Sequence, residues 1–198
     1  MLNIETRQNI KNVAQELIDT QGLSAPFNVS SVAQSKGINV LVADDSTLLN
    51  LVKENEPSKY KKINKHEVVA YFDRDKRNLY LARSNAGNMK RKRFTVAHEL
   101  GHYLLGHNNK FRVISRSDIY DFSEMPEEIA ANYFAGYLLM PDKDILRYLT
   151  VFSPVYSGET LVNKLADALF VSLSSMRLRL STFAQENKEW KNVQTLSL

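Results

Sequence analysis

The segment MKRKRFTVAHELGHYLL, residues 89–105, contains no proline and ends before Gly106, the pattern of a helix stopped by glycine. Inside it lies His98-Glu99-Leu100-Gly101-His102. Residues four apart share one face of a helix, so the two imidazoles can converge on one tetrahedral metal ion. Glu99, about 100° round the helix from His98, can reach a water held by that ion. The spacing predicts two zinc ligands, His98 and His102, and a catalytic base, Glu99.

A catalytic zinc takes three protein ligands and a water, so a third ligand is required. A third histidine in the metzincin arrangement would need Gly at 105 and His at 108, where the sequence has Leu105 and Asn108. His107, just past the helix-ending glycine, is expected to face away from the metal as a surface histidine. His66, in a polar segment, is expected to be solvated. The remaining candidates are Glu124, Glu127 and Glu128, near the start of a second predicted helix that opens at Pro126 and stops before Pro141. Glu128 is in register with Asn132, Ala135 and Leu139, which puts a ligand and a polar supporting group, Asn132, on one face. Ala130, Ala131, Ala135 and Gly136 on this helix, with Ala97 and Gly101 on the first, allow the backbones to approach closely. Glu128 is the predicted third ligand. Glu127 is explained as well by the attraction of an acidic residue to a helix N-terminus.

Composition narrows the chemistry further. The chain has 198 residues, of which 43% are apolar and 24% charged, values of an ordinary globular protein. Its lack of cysteine removes disulfides, thiolate nucleophiles and thiolate metal sites together, leaving histidine and carboxylate to hold any transition metal. The net charge of +4 is clustered in the lysine-rich segment 53–65 and in the run Lys90-Arg91-Lys92-Arg93, and alone it selects no partner. The longest mainly apolar stretch, Ile129 to Met140, is shorter than the roughly 20 residues of a membrane span, and MLNIETRQNIKN lacks the pattern of a signal segment. A cytoplasmic protein that does not enter a membrane is expected.

Outward from the motif, Ile10, Val13, Ala14, Leu17 and Ile18 recur at helical spacing before Gly22. A short helix over Ser30–Lys36 precedes Gly37 and a strand over Ile38–Val42. Val68–Phe72 and Asn78–Leu81 flank Asp73–Arg77 as a hairpin, so a small antiparallel sheet is predicted. Lys53–Glu67 reads as a mobile loop or a partner-contacting flap. Thr160–Phe170 and Ser172–Ala184 read as two helices with Ser172 as a cap, followed by a tail from Asn187. The expected fold is α+β, mostly helical, with a catalytic domain over residues 1–150 and a helical region over 151–198. Within the latter, residues 165–180 resemble a helix-turn-helix, although Phe170 stands where the turn prefers glycine. A structural pair of helices, or a surface that docks a protein partner, is favoured over direct DNA binding, for which Arg177 and Arg179 would be the phosphate contacts to test.

Taken together, RKRFTVAHELGHYLLGH (residues 91–107) and EEIAANYFAGYLLMP (residues 127–141) resemble the ImmA/IrrE family of zinc-dependent endopeptidases. The resemblance implies a gluzincin-like core, zinc on His98, His102 and Glu128, a catalytic Glu99, and Asn132 supporting the ligands. It also implies a protein substrate, an Xre-type helix-turn-helix repressor, encoded near the protease on a prophage or mobile element. Two other classes stay open: a binding module that sequesters its partner, and the toxin of a toxin–antitoxin pair. Glu99 favours the enzyme, because a structural zinc needs no base. Tyr103, Tyr133 and Tyr137 are candidates by residue type for stabilising an oxyanion.

Overall fold

Apolar spacing and helix-ending residues set most of the elements in the computed structural model of the chain, which describes residues 2–64, 68–85, 88–107, 111–115 and 125–187. Two compact units are present, one of Met1–Asn3 with Asn28–Asn132, the other of Ile4–Phe27 with Tyr133–Leu198.

The second unit contains α1 (Ile4–Thr20), whose Ile10, Ala14, Leu17 and Ile18 are buried as their spacing predicts. The first unit begins with α2 (Val29–Ser35), where Asn28 caps the helix by accepting from the backbone N–H groups of Ser30 and Ser31. Next come β1 (Asn39–Ala43), α3 (Asp45–Asn55), α4 (Pro57–Tyr60), β2 (Val68–Asp73), β3 (Asn78–Ala82), a 3-10 turn (Arg83–Asn85), α5 (Met89–Leu104) and β4 (Phe111–Ser115). α6 (Pro126–Leu139) contributes its first turns, through Asn132, to this unit.

Among the described residues the strands form one sheet in the order β1-β3-β2-β4. β2 and β3 make the expected hairpin, with Tyr71 opposite Tyr80 and Phe72 opposite Leu79. Its turn is held by Asp73, whose carboxylate accepts from the backbone N–H of Lys76 at 3.1 Å. β4 lies antiparallel on the other side of β2. β1, however, runs parallel to β3, with Val40 opposite Leu79, so the sheet is mixed and not the antiparallel sheet expected. The reason is connectivity: α3, α4 and β2 lie between β1 and β3 and return the chain to the end from which β1 started, as a parallel pair requires.

Those two helices also correct the reading of Lys53–Glu67 as a loop. Leu48 and Val52 are buried at helical spacing and Leu49 and Leu51 pack against the same cluster, so α3 runs on past Lys53 to Asn55 with its lysine outward. The apolar half of the pattern precedes Lys53 and the polar half comes after it, which splits the helix when the two are read separately. Lys65, His66 and Glu67 lie outside the described residues. All six residues of β2 are buried, so the sheet is covered on both faces at its centre. Tyr71 joins Leu48, Val52, Ala82 and Val113 in one apolar cluster.

In the second unit, the rest of α6 is followed by α7 (Asp142–Phe152), α8 (Gly158–Ala168) and α9 (Leu173–Glu186). α7 has no counterpart among the elements expected from the sequence. Ser172 caps α9 as expected, its hydroxyl accepting from the backbone N–H of Ser175 at 3.1 Å. Phe170 has φ 53°, the left-handed conformation that glycine adopts without steric cost. The ending of α8 demands it: Phe170 N–H reaches Asp167 O at 3.1 Å and Val171 N–H reaches Ala166 O at 2.9 Å. The tail from Lys188 lies outside the described residues.

Arg179, one of the two arginines that a test of phosphate contact would address, is buried. Its Nε donates to Met140 O at 3.1 Å, its guanidinium pairs with Asp142, and it lies over the Tyr137 ring. Arg177 pairs with Glu159 at 2.5 Å. Among the described residues, no helix is long and apolar enough to cross a membrane.

Candidate metal centre

α5 starts at Asn88, whose side chain accepts from the backbone N–H of Arg91 at 2.9 Å. Every residue from Thr95 to His102 is buried, so the central turns of this helix are enclosed on all sides. The sequence between Thr95 and His102 therefore places two imidazoles and a carboxylate where water is scarce, an arrangement that costs several kcal/mol unless the polar groups are satisfied by one another or by an ion. Arg93 is buried too, and burial pushes its guanidinium below the usual arginine range.

His98 and His102 face each other with their Nε2 atoms 3.0 Å apart. Glu128, from the first turn of α6, brings Oε2 to 3.3 Å from His98 Nε2 and 3.5 Å from His102 Nε2. Glu127 is exposed, and Glu124 lies outside the described residues. The three atoms thus form a nearly equilateral triangle. A tetrahedral ion with bonds of about 2.0–2.2 Å separates its ligand atoms by about 3.3–3.6 Å, so the triangle fits such an ion with little adjustment.

The hydrogen bonds around the triangle point the same way. His98 Nδ1–H donates to Asn132 Oδ1 at 2.9 Å, which leaves the Nε2 lone pair facing the other two atoms. Asn132 is one helical turn beyond Glu128, as their shared register requires. Two imidazole nitrogens and a carboxylate oxygen converging on one point match the donor set of a divalent cation.

Glu99 is fully buried, with Oε1 3.7 Å from His98 Nε2. His98, Glu99 and His102 by themselves also bring one potential ligand atom each within 4.8 Å of one another. Glu128 lies closer to both imidazoles than Glu99 lies to His98, which leaves Glu99 beside the triangle.

His107, expected at the surface and facing away from the metal, is half-buried and packs against the His102 ring. Its Nδ1 lies 2.8 Å from His102 Nδ1, on the side of the ring opposite the triangle. The reason is the conformation of Gly106, φ +77°, which turns the chain back over the last turn of α5. Of the tyrosines considered for an oxyanion, Tyr103 has its ring 5.6 Å from the Arg74 guanidinium. The Tyr137 hydroxyl donates to Glu186, and burial, helped by that carboxylate, pushes its pKa well above the usual tyrosine value. Tyr133 stacks on Tyr137.

The profile of the Peptidase_M78 family, described as the IrrE N-terminal-like domain, matches residues 33–181. The chain belongs to this metallopeptidase family, the ImmA/IrrE family that its motifs resemble. Metallopeptidase ImmA of Bacillus subtilis (strain 168) is 27% identical over 157 residues, 77% of this chain and 78% of that protein. The Uncharacterized immunity region protein 2 of Bacillus phage phi105 is 32% identical over 83 residues, 42% of this chain, and the match spans 51% of the phage protein's length. A metallopeptidase family implies a metal, and the buried His98, Glu99 and His102 group is able to bind one.

Proposed function

We propose that this protein is a zinc-dependent endopeptidase with a gluzincin-like core, its metal held by His98, His102 and Glu128 and its base supplied by Glu99. The observation that carries the reading is the triangle of His98 Nε2, His102 Nε2 and Glu128 Oε2 with a buried carboxylate beside it. Bound there, zinc would bring a water toward a pKa of about 7 and polarise a peptide carbonyl. Glu99 takes a proton from the attacking water and passes it to the leaving amine, a task that its place beside the triangle allows. Asn132 holds the His98 ring in the orientation that presents Nε2.

The proposed substrate is an Xre-type repressor, and the protein acts in the cytoplasm as an anti-repressor of a prophage or mobile element. The names of the relatives support this context, one being an immunity region protein of a phage and the other ImmA. We assign the helical region 151–198 to recognition of that partner and not to duplex DNA. In support, Arg179 is buried against Met140 and Asp142, and Arg177 is paired with Glu159, so both are engaged within the unit.

Glu99→Gln tests the enzyme reading. The amide keeps the shape and the three proposed ligands but accepts no proton, so metal and partner binding should persist while cleavage falls by about 10²–10⁴-fold. The measurement is repressor cleavage in vitro beside relief of a repressor-silenced reporter in cells. A Glu99→Gln protein that relieves repression as well as the unsubstituted chain would replace proteolysis by sequestration. Growth arrest on expression without a partner would favour the toxin reading.

A further inference from the structure

His107 lies outside the motif that names the ligands, and the end of α5 brings it back. Gly106 N–H reaches Tyr103 O at 3.4 Å and His107 N–H reaches His102 O at 3.1 Å, the paired bonds of a helix that ends through a left-handed residue. In that ending the residue after the left-handed one lies over the residue five positions before it, and the two side chains commonly make an apolar contact. Here they are His102 and His107. The rings meet edge to face, with centroids 4.8 Å apart and Nδ1 to Nδ1 at 2.8 Å.

A neutral imidazole offers a lone pair on one nitrogen only if its proton sits on the other. For His102 to turn a lone pair on Nε2 toward His98 and Glu128, its proton must be on Nδ1, and the N–H of a buried ring needs an acceptor. His107 Nδ1 is in place to accept it, with the His107 proton on Nε2. His98 solves the same problem with Asn132. We propose that His107 is a positioning residue that holds His102 in the tautomer and orientation needed to bind the cation, as Asn132 does for His98, without being a ligand itself. The proposal rests on the reading of His98, His102 and Glu128 as the metal donors.

Zinc affinity of the full chain, measured by competition with a chromogenic chelator, tests it without reference to catalysis. His107→Leu fills the space but offers no acceptor, and should bind zinc about 10–100-fold more weakly. His107→Asn restores an acceptor near the position of Nδ1 and should bind close to the unsubstituted level. His98→Ala is the control for the donor set. If His98→Ala binds zinc like the unsubstituted chain, the ligand reading fails. If His98→Ala loses zinc and His107→Leu does not, the role of His107 alone is overturned. Equal losses in His107→Leu and His107→Asn would overturn it as well, because the helix ending or its packing, and not the acceptor, would then be responsible.

Discussion

Glu127 and Glu128 adjoin at the start of α6, and only the second turns toward the imidazoles, with Glu127 exposed to solvent. Helical rotation of about 100° per residue separates them more completely than any difference in chemistry could. Glu128→Ala should therefore lower zinc affinity by more than the roughly 10–100-fold that loss of a supporting hydrogen bond causes, while Glu127→Ala should leave it unchanged. Metal content after dialysis against a weak chelator reads the difference, and retention in Glu128→Ala would move the third ligand to another carboxylate, Glu99 first. The choice between the two residues is legible from register with Asn132. The position of His107 is not, because a residue just past a helix is aimed by the backbone ending and not by helical periodicity.

At the level of elements, the ending of α5 is the feature on which His107 depends. Gly106 adopts φ +77°, and a Cβ built there meets nothing within 4 Å among the described residues. Gly106→Ala is therefore a test of backbone strain without steric clash, and should destabilise the metal-free protein by about 1 kcal/mol, with Gly106→Asn costing less because asparagine tolerates this conformation. Denaturant unfolding of the three proteins checks the order, and an alanine variant as stable as the glycine would show that the turn has relaxed. Phe170 occupies the same position after α8 without being glycine. Local preference argues against a phenylalanine in this turn, and the two hydrogen bonds of the helix ending prevail over it. The same limit applies to the sheet. Alternation reveals the β2 and β3 hairpin, whereas the parallel partnering of β1 depends on a crossover whose helices are split by the charge pattern at Lys53.

Across the molecule, the charged groups of the second unit behave differently from a solvated surface. Asp142 receives Arg179 and Lys11, and Lys11 also meets Glu186 at 3.0 Å. Burial alone would raise the Asp142 pKa, but the Arg179 guanidinium and the Lys11 ammonium outweigh it and hold the carboxyl below the usual aspartate value. A depressed carboxyl pKa contributes stability that is complete above the ordinary aspartate pKa of about 3.9 and is lost as pH falls through the depressed value. Asp142→Asn, which leaves Arg179 buried without its carboxylate, should cost about 3 kcal/mol near neutrality. The gap from the unsubstituted chain should narrow as pH falls below about 4. Urea unfolding at a series of pH values measures it, and a gap that stays constant with pH would remove the ion pair from the account.

Short-range geometry is the part of this protein that can be read along the chain without a fold. His98, Glu99 and His102 share a helix, Glu128 and Asn132 share the next, and the absence of cysteine restricts a metal to nitrogen and oxygen ligands. Those relations depend on a period of 3.6 residues and on side-chain chemistry, and both are local. It takes the tertiary structure to bring β1 into the sheet in parallel and to bury Arg179 on Met140 and Asp142. Each of these joins groups through a crossover or a packing partner. Their outcome depends on free energies summed over distant residues, which no local pattern contains.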